Sequence, residues 1–214
     1  MSDTLLLIFE IVGTVSFAIS GAITGIKKRM DILGVVILGL TTAVGGGVIR
    51  DLVLGITPPT TFHNPIYALV AIITAIIAFF PSVRHLFIKK QHMFELTNLW
   101  MDSIGLGVFT VVGIKTAHSI SAENNTFLLI FVGIITGIGG GIMRDVLAGQ
   151  MPYIFVKHFY ASASIIGAVV CVVLWQPLGA ALAMLLGSVT VVVLRLLAAH
   201  YRWSLPKPHE EGEL

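Results

Sequence analysis

The sequence predicts an all-α, polytopic membrane protein of seven transmembrane helices, arranged as two inverted three-helix repeats plus a seventh helix. Three observations carry this expectation. Mean hydropathy is +0.96, with 56% hydrophobic and only 11% charged residues, whereas soluble domains carry roughly 25% charged residues. The apolar residues fall into seven runs near the length of about 20 residues that crosses a hydrocarbon layer. A glycine-rich motif ending in Arg-Asp occurs twice.

In chain order the runs cover residues 4–26, 32–56, 64–81, 96–115, 126–148, 153–175 and 177–199. Each must be helical, because an unpaired backbone is too costly in lipid. The start, Met1-Ser2-Asp3-Thr4, has no basic stretch, so the first run reads as a retained helix and not a cleaved signal. This divides the chain into a first repeat (1–90), a second, inverted repeat (91–175), a seventh helix (176–200) and a solvated tail (201–214) with Pro206, Pro208 and an acidic end from Glu210.

Basic residues set the orientation. Lys27, Lys28, Arg29, Arg84, Lys89, Lys90, Lys157, Arg195, Arg202 and Lys207 share one side if the spans alternate, and Lys115 stands on the other. The bias places the N-terminus outside and the C-terminus in the cytoplasm.

The repeat is explicit. Gly45-Gly46-Gly47-Val48-Ile49-Arg50-Asp51 matches Gly139-Gly140-Gly141-Ile142-Met143-Arg144-Asp145, and both copies run on to a proline, Pro58 and Pro152. Upstream, Glu10, Gly13, Phe17 and Gly21 match Asp102, Gly105, Phe109 and Gly113. A three-span unit enters and leaves on opposite sides, so its copy is upside down, an arrangement common in transport folds.

Two readings of the triplets remain open. Consecutive glycines loosen the helical ladder, and broken backbone is tolerated where it lines a wet cavity. Alternatively they allow close helix packing, for which Gly133, Gly137 and Gly141, and Gly21 and Gly25, have the spacing. The intramembrane charges Glu10, Arg50, Asp51, Asp102, Arg144 and Asp145 should face the protein interior. Arg50 and Asp51, as neighbours about 100° apart on a helix, are not expected to pair directly. Matched depth instead predicts Glu10 beside Arg50 and Asp102 beside Arg144, as gates, as helix-tying bridges, or as both. Ser16, Ser20 and Thr24 recur every four residues on one face, to line a path or to bond a neighbouring helix.

Other classes are poorly supported. The net charge of +2 does not suggest nucleic acid. No HExxH, GxSxG or P-loop lysine is present, and Ala18-Ile19-Ser20-Gly21 lacks the first glycine of the intramembrane serine protease loop it faintly resembles. The histidines show no ligand spacing. Cys171 is the single cysteine and forms no internal disulfide. Asn124-Asn125-Thr126 is a glycosylation sequon on the outer side.

At its two Gly-Gly-Gly-x-x-Arg-Asp motifs the sequence resembles the prokaryotic branch of the trimeric intracellular cation (TRIC) channels, some bacterial members of which carry a glycine-transporter label. The resemblance covers about residues 5 to 200. It implies a homotrimer in the plasma (inner) membrane of a prokaryote, with membrane lipid as partner and an ion path inside each protomer. It implies bent second and fifth helices around that path, permeability to potassium, sodium and other monovalent cations, and no cofactor or tightly held metal. Carried over by motif, the pore-bending positions are Gly45, Gly46, Gly47, Gly139, Gly140 and Gly141, and the charged positions are Arg50, Asp51, Arg144 and Asp145. Animal members carry a lipid-binding lysine near the equivalent glycines. Here Ala43-Val44 and Gly137-Ile138 precede the triplets, so that role does not carry over. The alternative function is a secondary transporter of a small zwitterion such as glycine, whose carboxylate half-helix N-termini would hold. A non-transporting assembly protein is a third class, but it has no need of doubled intramembrane charges.

Overall fold

The computed structural model describes residues 3–83, 91–120, 125–156 and 159–203. Expectations for Arg84, Lys89, Lys90, Asn124, Lys157, His85, His158 and the tail from 204 lie outside these residues.

Among the described residues the fold is all-helical. The helices are α1 (Asp3–Lys27), α2 (Ile32–Val53), α3 (Thr60–His63), α4 (Ile66–Phe79), α5 (Gln91–Ile120), α6 (Thr126–Leu147), α7 (Tyr153–Val156) and α8 (Tyr160–His200). Five of them, α1, α2, α5, α6 and α8, are long and apolar enough to cross a membrane, and α4 is a shorter apolar helix of 14 residues.

Asp31 and Asn125 start α2 and α6. Each side chain accepts from a backbone N–H three residues on, Gly34 at 2.7 Å and Leu128 at 3.2 Å, which satisfies one of the free donors at a helix start. Both helices also end alike. Gly55 (φ 74) and Gly149 (φ 64) take the left-handed conformation, and the next residues, Ile56 and Gln150, bond back to the carbonyls of Asp51 and Asp145. Glycine at that place removes the steric cost of positive φ.

At 41 residues, α8 would be about 60 Å long if straight, twice the roughly 30 Å of a bilayer core. It breaks after Pro177, at Gly179, whose φ of 76° and ψ of 162° are non-helical. The arms then pack on each other. A side chain at Gly187 would collide with Cys171, and one at Gly167 with the Gly187 carbonyl. Two expected boundaries move. The sixth run starts as an arm at Tyr160, because 153–156 form the separate helix α7, and α5 spans 91–120 where the hydropathy run covers 96–115.

Helices α1, α2 and α4 pack together, as do α5, α6 and α8, and the two sets meet through α1 on α5 and α2 on α6. The meeting contacts are reciprocal. Gly13 lies against Phe109, and Gly105 against Phe17, with the two rings 5.3 Å apart. Gly46 abuts the Thr136 carbonyl, and Gly140 the Thr42 carbonyl. Residues 13 and 17 thus face 109 and 105, and residues 42 and 46 face 140 and 136, so each helix pair is antiparallel.

Both triplets lie at the second of these crossings. Helices α2 and α6 run unbroken through residues 45–47 and 139–141, with no non-helical residue at either. The triplets therefore free no carbonyls. They touch at the crossing, where a Cβ on Gly139 would sit 3.1 Å from the Gly46 Cα. Their lack of side chains lets two backbones touch.

Candidate functional site: two charge clusters at opposite ends of one helix pair

The C-terminal cluster is the closed one. The Arg144 side chain is fully buried and Asp102 nearly so. Arg144 Nη1 donates to Asp102 Oδ1 at 2.5 Å and to Ser20 Oγ at 2.6 Å, while its Nε donates to Asp145 Oδ1 at 2.8 Å. Ser20 donates onward to Asn98 Oδ1 at 2.7 Å. The predicted Asp102–Arg144 pair is therefore present. Of the Ser16, Ser20 and Thr24 face, all buried, Ser20 joins the cluster and Thr24 bonds back to the Ser20 carbonyl at 2.9 Å.

Arg195 completes the cluster and corrects the charge count. The sequence counts it among the basic residues of the C-terminal end that set the orientation. The second arm of α8 instead buries it, with Nη2 3.6 Å from Asp102 Oδ2 and the guanidinium 4.6 Å from the centre of the Tyr160 ring. Two polar atoms here, Asp102 Oδ2 and Arg144 Nη2, have no hydrogen-bond partner.

The N-terminal cluster is open. Arg50 Nε donates to Asp51 Oδ1 at 2.8 Å, so adjacent residues do pair. The long arginine side chain folds back along its own helix, as Arg144 does to Asp145. Each aspartate is fixed from its other oxygen. Asp51 Oδ2 accepts from Thr60 N at 2.8 Å and from the Thr60 hydroxyl. Asp145 Oδ2 accepts from Tyr153 N at 2.8 Å. The aspartates thus cap the short helices α3 and α7. Glu10 does not pair with Arg50. It accepts from the Tyr67 hydroxyl, and both Glu10 and Arg50 line a cavity of about 260 Å³ together with Thr14, Gly47, Thr60 and Asn64. Gly47 is the triplet residue that faces this space, since a Cβ there would meet nothing nearer than Arg50 Nη2 at 3.8 Å.

The clusters correspond member by member: Glu10 and Asp102, Arg50 and Arg144, Asp51 and Asp145, Tyr67 and Tyr160. The tyrosines were missed at the sequence level, although Tyr160 follows Tyr67 at the spacing of the other matches and its hydroxyl donates to Asp102 Oδ1 at 3.4 Å. Along α1, Glu10 and Ser20 are ten residues or about 15 Å apart, which places the clusters at different depths. Among the described residues no group of three or more His, Cys, Asp or Glu side chains is set to hold a metal.

The sequence model of the family described as glycine transporter matches residues 7–82 and 99–176, nearly the two repeats. A solved TRIC cation channel, determined as a structural basis for conductance, is 37% identical and superposes with a TM-score of 0.79 over 96% of this chain and 98% of its own. The chain belongs to the prokaryotic TRIC family. The TRIC orthologue of Rhodobacter sphaeroides is 33% identical, with a TM-score of 0.85 over 94% of this chain and all of its own. The inner membrane protein YadS of Escherichia coli K12 is 38% identical over 199 residues, which are 92% of this TRIC chain and 93% of YadS. The fold described above is accordingly that of a membrane-spanning TRIC protein.

Proposed function

We propose that this TRIC chain is a potassium-permeable, monovalent cation channel of a prokaryotic plasma (inner) membrane. It assembles as a homotrimer in lipid with one ion path in each protomer. Its seven spans are α1, α2, α4, α5, α6 and the two arms of α8, with the first three and the next three as inverted repeats. The reciprocal antiparallel contacts support the inversion. Lys27, Lys28, Arg29 and Arg202, set at helix ends, support an outer N-terminus and a cytoplasmic C-terminus without any contribution from Arg195.

One observation carries the channel reading. A cavity with Glu10 at its wall, bonded to the Tyr67 hydroxyl and in no ion pair among the described residues, reaches the Gly47 face of the α2–α6 crossing, and the matching cluster at the other depth is shut by Arg144 on Asp102 and Ser20. A cation entering beside Glu10 would exchange water for the hydroxyls of Thr14 and Thr60, and the Arg144 bridge would close the inner end. Solved relatives that are cation channels support the same reading.

Planar-bilayer recording of purified protein, set beside radiolabelled glycine uptake in proteoliposomes, tests it. The expected result is unitary potassium current steps without glycine accumulation. Glycine accumulation without current steps would replace the channel by a zwitterion transporter.

A further inference from the structure

The two clusters occupy matching places in the repeat but differ by one guanidinium. Glu10, Arg50 and Asp51 set two carboxylates against one cation. Asp102, Asp145, Arg144 and Arg195 set two against two. The additional charge arrives on the second arm of α8, which has no counterpart in the first half of the chain. Beside Tyr160 and Asp102 stands the Arg195 guanidinium. Beside their counterparts, Tyr67 and Glu10, stands the cavity. Lys115, next to the lining residue Thr116, makes no ion pair with Glu10 or Asp51 among the described residues.

We propose that Arg195 is a tethered counter-cation. It fills, in the inner half, the position that a permeant monovalent cation takes beside Glu10 in the outer half, and it thereby makes the ion path charge-asymmetric. A mouth with one net negative charge and low-dielectric walls concentrates cations, whereas a neutral one does not. Cation current entering from the Glu10 side therefore exceeds the reverse current. This inference rests on the channel reading above, and the experiment separates the two.

Current–voltage curves of single channels are recorded in symmetric KCl of low ionic strength. Wild-type protein should rectify about threefold, less than the roughly tenfold or more given by a cleft lined with many like charges, because a single net charge acts here. Arg195→Gln should bring the ratio towards one by raising the smaller current. Arg195→Lys should keep the wild-type ratio. Asn64→Lys, on the cavity wall and away from the buried cluster, should also bring the ratio towards one, by lowering the larger current. Wild-type conduction without rectification, or an unchanged ratio in a trimeric, conducting Arg195→Gln protein, would overturn the proposal. If Arg195→Gln does not fold, Asn64→Lys decides: an unchanged ratio overturns the proposal and a reduced one upholds it. If wild-type protein does not conduct, the channel reading fails on its own, and melting in KCl against choline chloride tests the cation position. A potassium-dependent rise in Tm that Asn64→Lys abolishes supports that position, and melting indifferent to potassium in wild type overturns it.

Discussion

Arg144→Gln should destabilise the protein by about 3–5 kcal/mol, the usual cost of leaving a buried charge without its partner. The guanidinium is wholly buried and reaches Asp102, Asp145 and Ser20 at once. Its loss leaves two carboxylates inside the bundle, with Arg195 at 3.6 Å from one of them. Arg50→Gln should cost less, about 1–3 kcal/mol. The Arg50 side chain is 10% exposed beside the cavity, and Asp51 keeps both of its bonds to Thr60. The double variant Asp102→Asn/Arg144→Gln should cost less than the two single changes together, because neither partner is left charged alone. Unfolding in detergent, followed by circular dichroism, measures these variants together with Asp102→Asn, the second single change. Equal losses for Arg144→Gln and Arg50→Gln would contradict the contrast between a closed and an open cluster.

Gly46→Ala and Gly140→Ala should each destabilise by about 1–3 kcal/mol, the typical cost of forcing extra atoms into a packed contact. By helix propensity alone alanine should help by about 1 kcal/mol, so the expected sign is opposite to the local preference. The new methyl would overlap the carbonyl of Thr136 in one case and of Thr42 in the other. Backbone atoms cannot turn aside as a flexible side chain can, so α2 and α6 must separate. Gly47→Ala is the control. Its Cβ would enter the cavity with nothing nearer than 3.8 Å, so it should be neutral or slightly stabilising. Comparison of Tm and trimer yield for the three variants gives the answer, and a Gly47→Ala loss as large as that of Gly46→Ala would contradict the packing account.

Much of this architecture is legible in the sequence because hydrocarbon leaves few choices. Apolar runs must be helices, and the doubled Gly-Gly-Gly-x-x-Arg-Asp motif reveals the repeat. The Asp102–Arg144 pair followed from matched depth. For Glu10 and Arg50 the same reasoning brings both to the wall of one cavity but not into a direct pair, because depth fixes the level of a side chain but not the side to which it turns. Arg50 folds back to Asp51, and Tyr67 takes Glu10. The aspartate caps on Thr60 and Tyr153 depend on two turns whose path hydropathy does not register. The burial of Arg195 was not legible, because a charge near a span end shows no partner in one dimension, while the hairpin at Gly179 carries it against α5. The triplets were open to two readings, since glycine both weakens a helix and lets helices touch. The crossing of α2 and α6 selects the second.

A cation path inside each protomer, entered through the Glu10 cavity, can be probed directly. Gly47→Cys in a Cys171→Ala background places one thiol on that cavity wall in every protomer. A membrane-impermeant, cationic thiol reagent is added to the Glu10 side of a bilayer during single-channel recording. Three equal downward steps of current are predicted, one for each protomer modified. A single step that abolishes all current, or a current the reagent leaves untouched, would contradict a separate path in each protomer.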